Sequence, residues 1–269
     1  GSKHGGSVGT SKAMIQAAAQ SGVDACKLQK RDLATWEEEN PELWASPYNS
    51  EHSYGATDGE HRAALEFGWD EYAELKAFCD RIGIPLFATA FDVMSVAFLE
   101  QIGVPAIKIA SGSITDHALL RAAASSGLPL IVSTGGAALS EIDSAILGVE
   151  GNHYDPIAGT LNTHLALLQC TSLYPCPADH LDLRVLKTYR QRYPMTVIGL
   201  SDHQDGIDMA PVAFALGARI FEKHFTLDHT AKGSDHAMSL EPHGLEMYVR
   251  SLRRARASLG DGEKRRYPG

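Results

Sequence analysis

Two short apolar runs end in residues that a buried strand does not carry without a use. Thr196-Val197-Ile198-Gly199-Leu200 leads into Ser201-Asp202-His203, and Arg219-Ile220-Phe221 leads into Glu222-Lys223-His224. Side chains two apart on a strand share a face, so Ser201 pairs with His203 on one strand and Glu222 with His224 on the other. If the strands are parallel neighbours, two imidazoles converge at one end, and neutral imidazole is a common ligand for a divalent metal. A single strand-end histidine reads more readily as a hydrogen-bonded structural group, whereas two at matching positions on successive strands favour a ligand pair. Two lysines form a second candidate cluster. Lys27, in Asp24-Ala25-Cys26-Lys27-Leu28-Gln29, and Lys108, in Ala106-Ile107-Lys108-Ile109-Ala110, lie in apolar runs where an unpaired ammonium is costly. Either side chain can snorkel outward between helices. If both face one cavity beside Ser111-Gly112-Ser113 and Ser133-Thr134-Gly135-Gly136, they suit a phosphate or a carboxylate.

The elements that must position these residues alternate regularly. Strands are expected at 24–29, 85–89, 106–110, 128–133, 165–170, 196–200 and 219–221, with helices at 70–81, 92–102, 116–125, 140–147, 181–193, 207–216 and 244–259 and a first helix after Ser7 ending near Gly22. Such β/α repetition without a long crossover predicts an α/β fold of the (β/α)8 TIM-barrel type. Seven strands and eight core helices, beginning with a helix, place an expected eighth strand before Gly1. Residues 1–259 read as this barrel domain and Gly260–Gly269 as a linker toward a further domain. Barrel active sites lie at the C-terminal strand ends, which here carry Lys27, Thr89, Lys108, Ser111, Ser133, Ser172, Tyr174, Ser201, His203, Glu222 and His224. The polar insertion Arg31–Gly68 reads as a long lid or binding loop, with a helical turn at Asp58–Arg62, and Gly151–Gly159 reads as a Gly/Asn/Pro loop.

The chain has 269 residues, 44% of them hydrophobic, which is enough for one barrel with a full core. A net charge of −9 argues against nucleic acid or a membrane surface as partner. The four cysteines lack C-x-x-C spacing and are expected to be reduced, which fits a cytoplasmic location.

Taken in order, further motifs carry a family resemblance. Asp24–Gln29, Phe87-Ala88-Thr89-Ala90-Phe91-Asp92, Lys108–Gly112, Ser133-Thr134-Gly135, Cys170-Thr171-Ser172-Leu173-Tyr174-Pro175, Leu200–His203, Glu222–Asp228, and Gly233-Ser234-Asp235-His236 through Ser239–Pro242 resemble the sialic acid synthase (N-acetylneuraminate synthase) family. The resemblance implies condensation of phosphoenolpyruvate with an N-acylated aldose, giving a nine-carbon 2-keto sugar acid and phosphate. Carried over by position, His203 and His224 bind a divalent metal, typically manganese, with magnesium or cobalt as alternatives. Lys27, Thr89, Lys108, Ser111, Ser133, Ser172 and Ser201 hold phosphoenolpyruvate, and Glu222, Tyr174 and Asp235 face the sugar or the metal-bound water. A homodimer is also implied. Gly1-Ser2-Lys3-His4 departs from the family's Gly-Asn-Asn-His. Two other readings stay open: a binding relative that has lost catalysis, and a barrel synthase making a shorter keto acid. The latter needs a second phosphate site, for which the strand ends offer no additional basic cluster.

Overall fold

The computed structural model describes residues 3–150, 154–155, 160–161 and 165–266. Its centre is one all-parallel sheet of seven strands, β1 (Cys26–Lys30), β2 (Leu86–Ala90), β3 (Ile107–Ile109), β4 (Leu130–Ser133), β7 (Leu165–Cys170), β8 (Val197–Asp202) and β9 (Ile220–Lys223), hydrogen-bonded in that order. These are the seven strands read from the sequence. Eight helices alternate with them: α1 (Val8–Gln20), α5 (Trp69–Ile82), α6 (Val93–Ile102), α7 (His117–Ser125), α8 (Leu139–Glu150), α9 (Val185–Arg192), α10 (Met209–Leu216) and α11 (Pro242–Ser258). Helix starts follow local capping: the side chains of Ser7, Asp92 and Asp116 each accept a backbone N–H of the first turn. Gly83 and Gly103 end α5 and α6 at φ of 77°, a left-handed conformation that favours glycine.

The sheet curls until its first and last strands face each other. Lys27 Nζ on β1 lies 3.6 Å from Glu222 Oε1 on β9, although the two strands are not paired. Outside, α1 is tied to α11 by Ser21 Oγ donating to Pro242 O (3.2 Å) and Arg253 Nη2 donating to Gly22 O (2.7 Å). The result is a seven-stranded curled half-barrel. Strand counting expected seven strands here and an eighth before Gly1; seven are present, and among the described residues no backbone ladder joins β1 to β9, so they do not form a closed (β/α)8 barrel.

The helical turn expected at Asp58–Arg62 is present, but the insertion is otherwise not the loop expected from its polarity. It holds α2 (Leu33–Glu39), α3 (Pro41–Trp44) and α4 (Asp58–Leu65). The short α2 and α3 show too little periodicity to read; Asp32 and Thr57 cap α2 and α4 through Thr35 and Glu60 N–H groups. The insertion is pinned from below by Lys30, whose ammonium donates to Glu66 Oε1, Phe67 O and Arg31 O, each at 2.9 Å. The helix expected over 181–193 begins only at Val185, because Asp182 turns the chain at φ 46°. In the expected 151–159 loop, β5 (Tyr154–Asp155) pairs antiparallel with β6 (Thr160–Leu161), which follows the loop; residues 151–153 and 156–159 lie outside the described residues. None of the four cysteines is in a disulfide. Among the described residues no helix is long and apolar enough to cross a membrane.

Candidate active site

Strands β8 and β9 run in register with Ser201 opposite Glu222 and Asp202 opposite Lys223. Alternation then splits the four. Asp202 and Lys223 face the outer helices as a buried ion pair at 3.1 Å, with Tyr248 of α11 donating to Asp202 at 3.3 Å. Ser201 and Glu222 face inward, and the histidines one step further on come together with ring centroids 5.2 Å apart, nearly perpendicular at 82°. The half-exposed Tyr174 ring covers both, 4.2 Å from His203 and 5.9 Å from His224.

Both strand lysines turn inward. Lys27 Nζ donates to Thr89 Oγ1 (2.9 Å), and Lys108 Nζ donates to Ser133 Oγ (2.6 Å) and Ile109 O (3.0 Å). Glu222 lies between them, each carboxylate oxygen 3.6 Å from one ammonium. Burial works to raise the Glu222 carboxyl, but the ammonium groups of Lys108 and Lys27 outweigh it and hold it at about 2. Burial pushes Lys108 down from its ordinary value, with Glu222 pulling it back. Two ammonium groups share one carboxylate, so the pocket keeps a surplus positive charge in a place where water is scarce. Such a pocket favours an anion.

The hydroxyls gather beside it against a bare stretch of backbone. Gly135 N–H donates to Ser111 Oγ at 3.0 Å. A Cβ on Gly135 would collide with Ser172 Oγ and sit 3.0 Å from Ser111 Oγ and 3.1 Å from Cys170 Sγ. Cys170, read in the sequence only as a strand residue, faces this cluster. Its thiol lies 3.8 Å from His203 Nδ1, and burial, which raises it, is outweighed by His203 with the Ser111 and Ser201 hydroxyls. Gly135→Ala is therefore expected to weaken phosphate binding about tenfold, the scale of one lost or displaced hydrogen-bonding group, with the unfolding temperature unchanged. Titration calorimetry with phosphate and a thermal melt check it.

The imidazoles differ in readiness for a metal. His203 Nδ1 donates to Thr171 O at 3.0 Å, so its neutral ring carries the lone pair on Nε2, the form in which histidine ligates. Burial, which lowers this histidine, is outweighed by Cys170, Thr171 O and Glu222, which raise it and favour a proton on Nε2. His224 is held well below its ordinary value, first by burial and then by Lys3 and His203, so it is neutral. Its Nδ1 lies 3.7 Å from Asp235 Oδ2 and 2.8 Å from Lys3 Nζ. Among the described residues no three His, Cys, Asp or Glu side chains converge on one point, so a cation would rest on the two imidazoles. His203 fits that role in its neutral form; His224 fits it once Lys3 has moved. Burial lowers the Lys3 ammonium to about 8. The sequence marked Lys3 as a departure but gave no sign that it reaches His224, 221 residues away.

The chain matches a family model, the NeuB family, over residues 14–264. It is 38% identical over 268 residues to N-acetylneuraminate-9-phosphate synthase of Mus musculus, covering 100% of this chain and 72% of the relative. It is 35% identical to N,N'-diacetyllegionaminic acid synthase of Legionella pneumophila, covering 98% and 73%. Its fold superposes with a TM-score of 0.84 and 34% identity on the crystal structure of N-acetylneuraminic acid synthetase from Leptospira borgpetersenii in complex with citrate, covering 99% of this chain and 85% of that one.

Proposed function

Because the chain belongs to the NeuB family, we propose that it condenses phosphoenolpyruvate with an N-acylated aldose of the N-acetylmannosamine type, releasing phosphate and a nine-carbon 2-keto sugar acid. The observation that carries this reading is the Lys27–Glu222–Lys108 bridge, an anion pocket beside the imidazole pair. Lys27 and Lys108 bind the phosphate and carboxylate, while Thr89, Ser111, Ser133, Ser172 and Ser201 donate to their oxygens. As the enol carbon attacks the aldehyde, positive charge develops at the carbon bearing phosphate. Glu222, fixed as a carboxylate by its two lysines, stabilises that charge and cannot serve as a proton donor near neutral pH. Water adds there, and the carbon–oxygen bond to phosphate breaks. Tyr174 and Asp235 orient the sugar.

In this reading His203 and His224 hold a divalent cation, manganese first, which when bound supplies Lewis acidity to the acceptor carbonyl. The enzyme then works as a homodimer in the cytoplasm. Phosphate release from phosphoenolpyruvate is expected only when both an N-acylmannosamine-type sugar and a divalent metal are present. A panel of such sugars with no release would overturn the reading. His203→Ala is expected to abolish manganese binding, read by electron paramagnetic resonance, with an unaltered circular dichroism spectrum; unfolding of the variant would instead make the histidine structural.

A further inference from the structure

The space beside His224 is already held by a cation that belongs to the chain. Lys3 Nζ lies 2.8 Å from His224 Nδ1, on the same side of the ring as Asp235, whose Oδ2 is 3.7 Å from that nitrogen. Asp235 and, more distantly, Glu222 attract this ammonium, and Lys27 repels it. An ammonium has three donors and no acceptor, so Lys3 donates and Nδ1 must accept. A neutral imidazole that accepts at Nδ1 carries its proton on Nε2. Neither nitrogen is then open to a metal: one lone pair is taken by Lys3 and the other site holds a proton. His203, whose Nδ1 donates to Thr171 O, has the opposite arrangement, with Nε2 the nitrogen left to a metal when the ring is neutral.

We propose that Lys3 is a displaceable internal cation that competes with the divalent metal for His224, so that metal entry requires the Lys3 ammonium to withdraw. The inference rests on the reading of His203 and His224 as the metal pair. Withdrawal leaves Asp235 as the natural acceptor for Nδ1–H, which frees Nε2; a carboxylate behind a histidine in this way both fixes its tautomer and strengthens it as a ligand. Asp235, already 3.7 Å from His224 Nδ1, thus becomes the acceptor for that nitrogen, in place of the Lys3 ammonium as its donor. The exchange keeps a cation beside the same carboxylates and raises the local charge by one. The consequence is a metal affinity set by Lys3 rather than by the two histidines alone.

The test compares the full chain with Lys3→Met, which keeps the length of the side chain and removes its charge. Manganese binding, followed by electron paramagnetic resonance at one pH, is expected to be about tenfold or more tighter in Lys3→Met, the scale on which groups behind a ligand alter metal affinity. That gain is expected to vanish in Lys3→Met/His224→Ala. Ring nitrogen NMR of the metal-free proteins, assigned through His224→Ala, is expected to show His224 protonated at Nε2 in the wild type and at Nδ1 in Lys3→Met. Equal manganese affinity in both proteins, with binding still lost in His203→Ala, overturns the competition and leaves the metal pair standing. No manganese binding by either protein overturns the metal pair and the competition with it. An unchanged His224 ring spectrum overturns the Lys3 assignment whatever the metal does.

Discussion

Lys108→Met is expected to lower kcat/KM for phosphoenolpyruvate about 10²–10³-fold, the effect of removing one preorganised charge that stabilises the substrate anion, while unfolding at a temperature equal to or above the wild type. The two halves of this expectation have the same origin. Lys108 is 2% exposed and is pushed by burial toward its neutral form, so its ammonium opposes folding unless something compensates. Ser133 and the Ile109 carbonyl satisfy two of its three protons, and Glu222 is shared with Lys27. Replacing it with an apolar chain of similar length leaves Glu222 still 3.6 Å from Lys27, so no charge is orphaned. A site that stores an uncompensated cation for its ligand is less stable than it needs to be. Steady-state kinetics and a thermal melt decide the matter: a large loss of stability would make Lys108 a structural residue, and unchanged kinetics would remove it from the anion pocket.

What could be read from the sequence was what strand periodicity encodes. Ile107-Lys108-Ile109 is a three-residue strand, yet its flanking isoleucines are fully buried and its polar member lies in the pocket, as alternation on a barrel strand dictates. The matching positions of His203 and His224 likewise follow from the register of β8 and β9. That register also encodes the Asp202–Lys223 pair, opposite charges facing outward one residue before each histidine; the same period-two reading extended to the outer face would have found it. Other features were hidden for physical reasons. Of the insertion's helices only α4 was legible, as the turn at Asp58–Arg62; α2 and α3 are too short to show an apolar stripe, and α2 is set by its Asp32 cap. Cys170 and Lys3 join the site through long-range contacts with His203 and His224, which local pattern does not specify. Strand counting anticipated the seven strands and, by expecting an eighth before Gly1, the open ladder between β1 and β9 as well.

Glu222→Gln is expected to damage both activity and stability, the reverse division from Lys108→Met. Its neutral amide leaves Lys27 and Lys108, each 3.6 Å away in the wild type, facing each other without a counter-ion. The Glu222 side chain is 22% exposed, so the destabilisation is expected at about 2 kcal/mol, below the about 3–5 kcal/mol of a fully dry broken pair. Turnover should fall about 10²-fold, because the charge that stabilises the developing cation is gone. The loss of stability carries a pH signature. Glu222 is held at about 2 in the folded protein against an ordinary value of 4.5. A carboxyl depressed by folding contributes stability that is present above 4.5 and is lost as pH falls toward 2. Urea unfolding is therefore expected to separate wild type from Glu222→Gln clearly at pH 7 and less at pH 3. A gap that stays constant with pH would mean the variant acts through packing instead of charge. The double variant Lys108→Met/Glu222→Gln supplies the remaining link: with one ammonium removed, it is expected to regain part of the stability that Glu222→Gln loses, a coupling that double-mutant analysis reads directly. Strict additivity of the two substitutions would show that the carboxylate does not bridge the lysines in solution.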